Sequence, residues 1–139
     1  MTAPPRQVPK PLPVPSRITK PFWDAAKQHR LSIQRCDSCN EYVFYPRPIC
    51  PHCSSDALAW TDVSGRATLY SFTIARKPTA RPWAEDVPYV IAIVELEEGP
   101  RMTSNIVGCP VDDVRIGMPL IASFEDVSDE ITLVKFRPA

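Results

Sequence analysis

Four regularly spaced cysteines are the residues of this chain best suited to chemistry. They form two Cys-x-x-Cys pairs, Cys36 with Cys39 and Cys50 with Cys53, and ten residues separate the pairs. Each pair can place two thiolates on one side of a metal ion, and a hairpin can bring the second pair to the other side. Four thiolates favour zinc, with rubredoxin-like iron as the alternative. Because sulfur fills every ligand position, the spacing predicts a structural metal site.

The segment Cys50-Pro51-His52-Cys53 also has the form of a redox disulfide motif. Such a motif needs a thioredoxin-like setting at the start of a long helix, whereas here prolines precede it and a second cysteine pair lies close upstream. We therefore favour the metal site and expect His52 to face solvent. Cys109 stands alone before a proline, and we expect it to be a small buried apolar residue.

Candidate catalytic groups are few. The chain has two histidines, and we expect His29 to lie on the apolar face of a helix and His52 to lie within the metal knuckle. Cys109 has no histidine or cation nearby in sequence to generate a thiolate. The acidic pairs fall in predicted turns, where carboxylates are usually solvated. We therefore assign no catalytic residue and expect the chain not to be catalytic alone.

Charge is unevenly distributed along the 139 residues, although 16 basic and 16 acidic side chains balance overall. Residues 1–53 hold eight basic and three acidic side chains, a net +5, and residues 54–139 hold eight and thirteen, a net −5. The acidic part would repel phosphate backbones, which argues against nucleic acid.

The compartment follows from cysteine usage and from the length of the apolar runs. Paired metal-binding cysteines without a secretory signal indicate a reducing compartment, so we expect a cytoplasmic protein. The longest apolar run, Tyr89–Val94, is far shorter than the roughly 18 residues of a membrane span. We expect no membrane-spanning segment.

Four segments position these residues: a proline-rich arm over 1–20, a helix and lead-in strand over 21–34, the ribbon over 35–60 and a β domain over 61–139. Seven of the 17 prolines lie within the first 21 residues, which favours an extended conformation. Apolar residues alternate with the prolines of the arm. They predict packing on the protein's own surface or along a partner subunit, and a ligand for an SH3-type domain is a further alternative.

The segment after the arm has helical periodicity. Pro21 suits a first helical turn, and Phe22, Ala25, Ala26 and His29 follow at helical spacing. This pattern predicts a short amphipathic helix, with Phe22 and its neighbouring tryptophan as anchors. A lead-in strand over Leu31–Arg35 and a ribbon hairpin over Glu41–Pro48 are predicted next.

After Gly65 the pattern changes to period two with β-branched and aromatic residues. Five strands are predicted, with a helical turn near Val111–Val114 in the long connection after the third. Five antiparallel strands with such a connection are typical of an OB-fold barrel. The predicted strands are Ala67–Ala75, Tyr89–Glu97, Arg101–Val107, Leu120–Glu125 and Ile131–Phe136.

The chain resembles a family of thiolase-associated proteins, known as a domain of unknown function, that join a rubredoxin-like zinc ribbon to an OB-fold. The resemblance covers nearly everything after the arm. It rests on Phe22, Leu31, Cys36-Asp37-Ser38-Cys39, Pro46-Arg47, Cys50-Pro51-His52-Cys53, Gly65, Tyr70, Ile116-Gly117-Met118 and Phe136.

This resemblance implies a mainly β protein that acts as a non-catalytic accessory subunit of a thiolase-like enzyme. Such a subunit bridges or stabilises a hetero-oligomeric complex, and some members contact coenzyme A. The reactions of these assemblies include thiolysis, condensation, retro-aldol cleavage and acyl transfer, and the sequence does not select among them.

Two binding surfaces are conceivable in the barrel. The cations Arg76, Lys77 and Arg81 lie near Trp83 in one loop, where they could receive the phosphate and adenine of coenzyme A, although an ordinary solvated loop has the same composition. Single-stranded nucleic acid is the alternative ligand, because OB-folds stack bases on strand aromatics, and Tyr70 and Phe72 share one strand parity. The acidic charge makes nucleic acid the weaker hypothesis.

Overall fold

The computed structural model describes residues 9–139, so Pro4, Pro5 and Val8 of the predicted arm lie outside the described residues. The described part is mostly β, as predicted. It contains one α-helix and eight strands: α1 Lys20–Lys27, β1 Ser32–Cys36, β2 Tyr42–Val43, β3 Leu58–Asp62, β4 Arg66–Ala75, β5 Tyr89–Leu96, β6 Arg101–Ile106, β7 Pro119–Asp126 and β8 Thr132–Pro138.

Helix α1 forms where the periodicity predicts it. A proline lies in its first turn, and Phe22, Ala25 and Ala26 form the buried face. The prediction for His29 is wrong, because the helix ends at Lys27 and His29 adopts a left-handed backbone conformation with φ of 57°. The imidazole of His29 is therefore half-exposed beyond the helix and does not belong to its apolar face.

The ribbon contains a three-stranded sheet in the order β2-β1-β3. The predicted hairpin over 41–48 is wrong in extent, because only Tyr42–Val43 is strand and its partner is β1. Strand β3 was not predicted, although it pairs with all of β1 from Ser32 opposite Asp62 to Cys36 opposite Leu58. No side chain of β3 is fully buried, so its sequence carries little alternation to detect.

The five predicted barrel strands are confirmed to within two residues at each end. They close in the order β4-β5-β6-β8-β7, with a 3₁₀ turn at Val111–Asp113 in the connection after β6. All neighbours are antiparallel except β6 and β8, which are parallel and share one residue pair, Ile106 with Phe136. This short seam is the weakest part of the barrel's hydrogen bonding.

One hydrophobic core joins the barrel to the segment before the ribbon. Phe22 of α1 and Leu31 and Ile33 near the start of the ribbon sheet belong to the same buried cluster as Phe136 of the barrel. The metal end of the ribbon has a much smaller cluster formed by Cys36, Val43 and Cys50. So small a core cannot hold a fold by apolar burial, which leaves that role to a metal.

Strand β4 contains a bulge that changes which side chains face outward. Its register with β5 shifts between Leu69 and Ser71, so Tyr70 has no direct partner. Tyr70 is 48% exposed, whereas Phe72 packs against the core. The predicted shared face of Tyr70 and Phe72 is therefore wrong, because one extra residue separates them from simple alternation.

The described part of the arm packs on the barrel. Lys10 forms an ion pair with Asp86 in the loop before β5. Residues 9–13 form one wall of a cavity of about 770 Å³, and Trp83 and Tyr89 lie among its other lining residues. Val14 remains 89% exposed. Among the described residues, no helix is long and apolar enough to cross a membrane.

Candidate metal centre

The two Cys-x-x-Cys pairs form two knuckles of the same geometry. In each knuckle the residue after the second cysteine donates its N–H to the carbonyl oxygen of the first, from Asn40 to Cys36 at 2.8 Å and from Ser54 to Cys50 at 2.9 Å. Asn40 and Ser54 both have φ of 64°. Asparagine tolerates this left-handed conformation, so Asn40 could have predicted the tight turn that closes the first knuckle. Ser54 offered no such indication for the second knuckle.

The four sulfur atoms converge on one point, as predicted. All four lie within 4.8 Å of one another, with Cys36 Sγ 3.5 Å from Cys53 Sγ and Cys39 Sγ 3.7 Å from Cys50 Sγ. Tetrahedral zinc with bonds of about 2.3 Å requires sulfur separations of about 3.8 Å. The cluster therefore fits a tetrahedral four-thiolate ion.

The cluster favours ionisation of one thiol, Cys36, and opposes ionisation of its neighbours Cys39 and Cys53. The backbone N–H of Cys39 lowers the pKa of the Cys36 thiol to about 6. A backbone hydrogen bond with Glu41 favours ionisation of Cys39, but burial and the neighbouring thiols outweigh it and raise the pKa of Cys39 to about 12. A backbone hydrogen bond with Ser55 favours ionisation of Cys53, but Cys36 and burial oppose it, and the net result is a raised pKa. A divalent cation would compensate four thiolate charges.

Gln34 connects the ribbon sheet to the segment between the knuckles. Its buried side chain donates to the Arg47 carbonyl oxygen at 2.9 Å and accepts from the Arg47 N–H at 2.8 Å. Ser38 and Ser55, one from each knuckle, form a hydroxyl hydrogen bond of 2.9 Å. These bonds fix the two knuckles relative to each other.

The centre is closed to substrate. Cys36 and Cys50 are buried and Cys39 is half-buried, while Cys53 is exposed at the edge. His52 faces solvent, as expected, and its N–H donates to Cys50 Sγ at 3.4 Å. Four sulfur ligands leave no open position for a reacting water. The centre is suited to a structural zinc.

Trp83 and the predicted cations do not line the same cavity. Trp83 lines the cavity beneath the arm, whereas Arg76, Lys77 and Arg81 are exposed and do not line it. Arg76 lies 3.9 Å from an Asp112 oxygen. The coenzyme A contact of these residues stays a prediction.

A second cavity of about 280 Å³ lies where helix, ribbon and barrel meet. Its apolar wall includes Phe22, Trp23 and Phe44, and residues of β6 and β8 complete its lining. Tyr45 of the ribbon accepts the Thr103 N–H at 3.1 Å with its hydroxyl oxygen. The sequence reasoning missed this junction because its residues come from four separate segments.

Comparisons with known families agree with this two-part architecture. Residues 23–59 match the family described as the rubredoxin-like zinc ribbon domain of ChsH2. Residues 60–125 match the C-terminal OB-fold domain of ChsH2. The two matches together span most of the described chain.

Curated relatives include both short and long proteins. A DUF35 domain-containing scaffold protein of Methanothermobacter thermautotrophicus is 36% identical over 105 residues, which cover 75% of this chain and 78% of that protein. A probable enoyl-CoA hydratase alpha subunit of Thermomonospora curvata is 41% identical over 94% of this chain. A 3-oxo-4,17-pregnadiene-20-carboxyl-CoA hydratase alpha subunit of Mycobacterium tuberculosis is 39% identical over 84%. This chain spans only 40% and 37% of those two subunits.

Solved structures show the same fold. A chain of the Ltp2-ChsH2(DUF35) aldolase is 39% identical, with a TM-score of 0.82 and coverage of 91% of this chain and 98% of that one. A DUF35 protein of unknown function from Sulfolobus solfataricus is 17% identical with a TM-score of 0.63, covering 88% and 86%. The second likeness supports the fold alone.

Proposed function

This chain belongs to the DUF35 family, and from that premise we propose that it is a non-catalytic accessory subunit of an enzyme complex that acts on acyl-coenzyme A substrates. It would stabilise or bridge the catalytic subunits. Its zinc would hold the ribbon in place and take no part in the reaction.

The closed four-cysteine centre carries this proposal. A metal held by four thiolates has no open position for chemistry. Neither histidine is placed to serve as a catalytic group instead of the metal. His52 is solvent-exposed in a knuckle, and His29 is paired with Asp126 at the surface. Within the described residues, these groups do not assemble a nucleophile with an adjacent general base.

The partner class rests on the names of the relatives and on the family resemblance. Two relatives are named as alpha subunits of hydratases whose substrate names are CoA esters, and a similar chain belongs to an aldolase. A thiolase-like subunit is the partner that the resemblance implies. We propose a thiolase-like fold for the catalytic partner, with acyl transfer or the formation or cleavage of a carbon–carbon bond as its reaction.

Purification from the native source tests the assembly. The tagged chain should recover an enzyme subunit in fixed stoichiometry, and the reconstituted pair should turn over an acyl-CoA substrate that the chain alone leaves unchanged. The Cys109→Ser variant should recover the same enzyme subunit as the wild type, because Cys109 lies outside the metal centre. A tagged chain that elutes alone at its monomer mass would contradict the proposal.

Contact with coenzyme A is a separate part of the proposal. Replacing Arg76, Lys77 and Arg81 with alanine should weaken coenzyme A binding by the reconstituted pair in titration calorimetry, since phosphate recognition depends on cationic side chains. A control variant replaces the exposed cations Arg17 and Lys27, which removes two positive charges outside this loop, whereas the test variant removes three. Equal affinities for both variants and the wild type would remove these three residues from the site.

Nucleic acid is not proposed as a ligand. Phe72 packs inward, and the guanidinium carbon of Arg101 lies 3.7 Å from the centroid of the Tyr70 ring, which occupies a face that a base would need. No pair of stacking aromatics remains on β4.

A further inference from the structure

The described part of the proline-rich arm has neither helix nor strand over residues 9–16. Prolines occupy every second position from Pro9 to Pro15, and each proline ring fixes its own φ at about −65°. Such a segment favours polyproline II, which makes no internal hydrogen bonds. A segment that is already extended loses little conformational entropy when it binds a surface. The arm therefore has the chemistry of a ligand for a groove.

One loop of the barrel has the features of such a groove. Strands β4 and β5 are antiparallel neighbours that a turn of about two to five residues could join, yet residues 76–88 separate them. The loop contains a 3₁₀ turn at Arg81–Trp83, and both Trp83 and Tyr89 at the start of β5 are half-buried. Loops of this length are usually functional. We define the arm groove as Pro82, Trp83, Asp86 and Tyr89.

The arm lies against this groove. Residues 9–13 line the same cavity as the four groove residues. Lys10 of the arm also forms an ion pair with Asp86. Aromatic-lined grooves recognise proline-rich segments because the polyproline II conformation is formed before binding. The ion pair adds direction, since prolines alone can pack on aromatic rings in either chain direction.

The other end of the arm is fixed at the start of α1. The Ser16 N–H donates to Thr19 Oγ1 at 2.8 Å, and the Thr19 N–H donates to Ser16 Oγ at 3.2 Å. Five residues lie between Ser16 and Lys10. So short a tether gives the arm an effective concentration of millimolar order or more at the groove. Docking within one chain is therefore favoured over docking between copies.

The contact between arm and groove is weak enough to reverse. The side chains of Lys10 and Asp86 are 44% and 40% exposed, and exposed ion pairs add little stability. Leu12 lines the cavity but is itself 43% exposed. The cavity of about 770 Å³ between arm and barrel shows that the arm bridges the groove without filling it. The groove can therefore release the arm.

From these observations we propose that the arm groove is a recognition site for polyproline II segments that carry a basic side chain, and that the chain's own arm occupies it in cis. A groove that has released the arm binds another segment of the same chemistry. This inference goes beyond the accessory role and does not depend on it, because it concerns only the arm and the barrel.

The indole N–H resonance of Trp83 in the zinc-loaded, ¹⁵N-labelled full chain reports whether the arm is docked. The double variant Lys10→Glu/Leu12→Asp should shift this resonance, because both side chains line the cavity. Val14→Asp/Arg17→Glu is the matched control with the same change of charge. Val14 is 89% exposed, and neither control residue lines the cavity, so the control should leave the resonance in its wild-type position.

A synthetic peptide with the sequence of residues 9–16 tests recognition directly. The peptide should move the Trp83 resonance of the Lys10→Glu/Leu12→Asp chain saturably toward its wild-type position. It should bind the wild-type chain about tenfold more weakly or less, because the tethered arm competes for the groove. A peptide that carries the same two substitutions should not bind. Zinc content and the thermal midpoint verify that the variant chain is folded, and the charge-swapped chain Lys10→Glu/Asp86→Lys should return the resonance to its wild-type position.

Three results would overturn the proposal. An unmoved Trp83 resonance in Lys10→Glu/Leu12→Asp would show that the arm does not occupy the groove. A millimolar concentration of peptide that leaves the resonance of this variant unchanged would show that the groove recognises no proline-rich segment. Sedimentation identifies the occupant, since a wild-type dimer that the double variant abolishes would place the arm in the groove of a second copy.

Discussion

The Nε2 atom of His29 lies 3.0 Å from Oδ1 of Asp126, a residue 97 positions further along the chain. The imidazole is stacked on Phe124, with ring centroids 5.2 Å apart, and Thr132 Oγ1 donates to the same carboxylate oxygen at 2.6 Å. This contact joins the end of α1 to the hairpin between β7 and β8. It therefore fixes the segment that leads into the ribbon against the barrel.

The contact should make stability depend on pH in the acid range. The Thr132 hydroxyl, followed by His29, holds the pKa of Asp126 below its ordinary value of 3.8. Stabilisation by a carboxylate of lowered pKa is complete above the unfolded value, about pH 4, and is lost as pH falls through the folded value. Asp126→Asn should lower the urea midpoint at pH 6, and the difference from wild type should shrink by pH 3.

Asp129→Asn is the control for this experiment. Asp129 lies in the same turn and is exposed, so its replacement should leave the urea midpoint near that of the wild type at both pH values. Each variant is compared with the wild type at the same pH. The effect of acid on the metal-binding thiolates is common to all three proteins and cancels in this comparison. A difference for Asp126→Asn that stays constant from pH 6 to pH 3 would contradict the proposed titration.

Gln34→Leu should destabilise the ribbon by about 1–3 kcal/mol, because it leaves the N–H and carbonyl of Arg47 without their partner. Gln34→Glu should also destabilise the ribbon, because it buries a carboxylate and sets an acceptor oxygen against the Arg47 carbonyl. Chemical denaturation of the zinc-loaded protein measures both. Stability equal to that of the wild type in Gln34→Leu would show that water replaces the side chain.

The sequence predicted the strands of the barrel well because their burial alternates. In β5, Val90, Ala92, Val94 and Leu96 are buried, and each residue between them is at least partly exposed. The metal centre was equally predictable, because ligand type and spacing define it. Both features depend on local pattern, which a single sequence contains.

The errors lie where distant segments determine local structure. Strand β3 exists because β1 offers a free edge, and its own sequence shows weak alternation. The bulge at Tyr70 follows from the pairing register of β4 with β5, which no residue of β4 specifies. The prediction placed His29 on the helix because no glycine marks the chain reversal after Lys27. Predicting these features requires knowledge of the tertiary contacts.

Gly65→Ala should destabilise the barrel by more than Gly117→Ala. Both glycines have positive φ, +80° and +84°, so an added side chain costs about 1 kcal/mol at each. At Gly65 the new Cβ would also lie 3.2 Å from the Cβ of Ala122, which is fixed to strand β7 and cannot rotate away. Thermal unfolding of the two variants isolates this contact. Equal thermal midpoints for the two variants would show that β7 can move enough to relieve the contact with Ala122.

Purified protein should be colourless and contain one zinc ion per chain, and removal of that ion should unfold the ribbon. The cluster of Cys36, Val43 and Cys50 buries too little apolar surface to hold the knuckles once the thiolates lose their cation. Cys39→Ser should therefore release zinc and lose protection from proteolysis between the knuckles, while Cys109→Ser should keep both. Elemental analysis and limited proteolysis measure these outcomes. A red protein with visible absorbance would identify iron, and a ribbon that resists protease after chelation would show that the ion is dispensable for the fold.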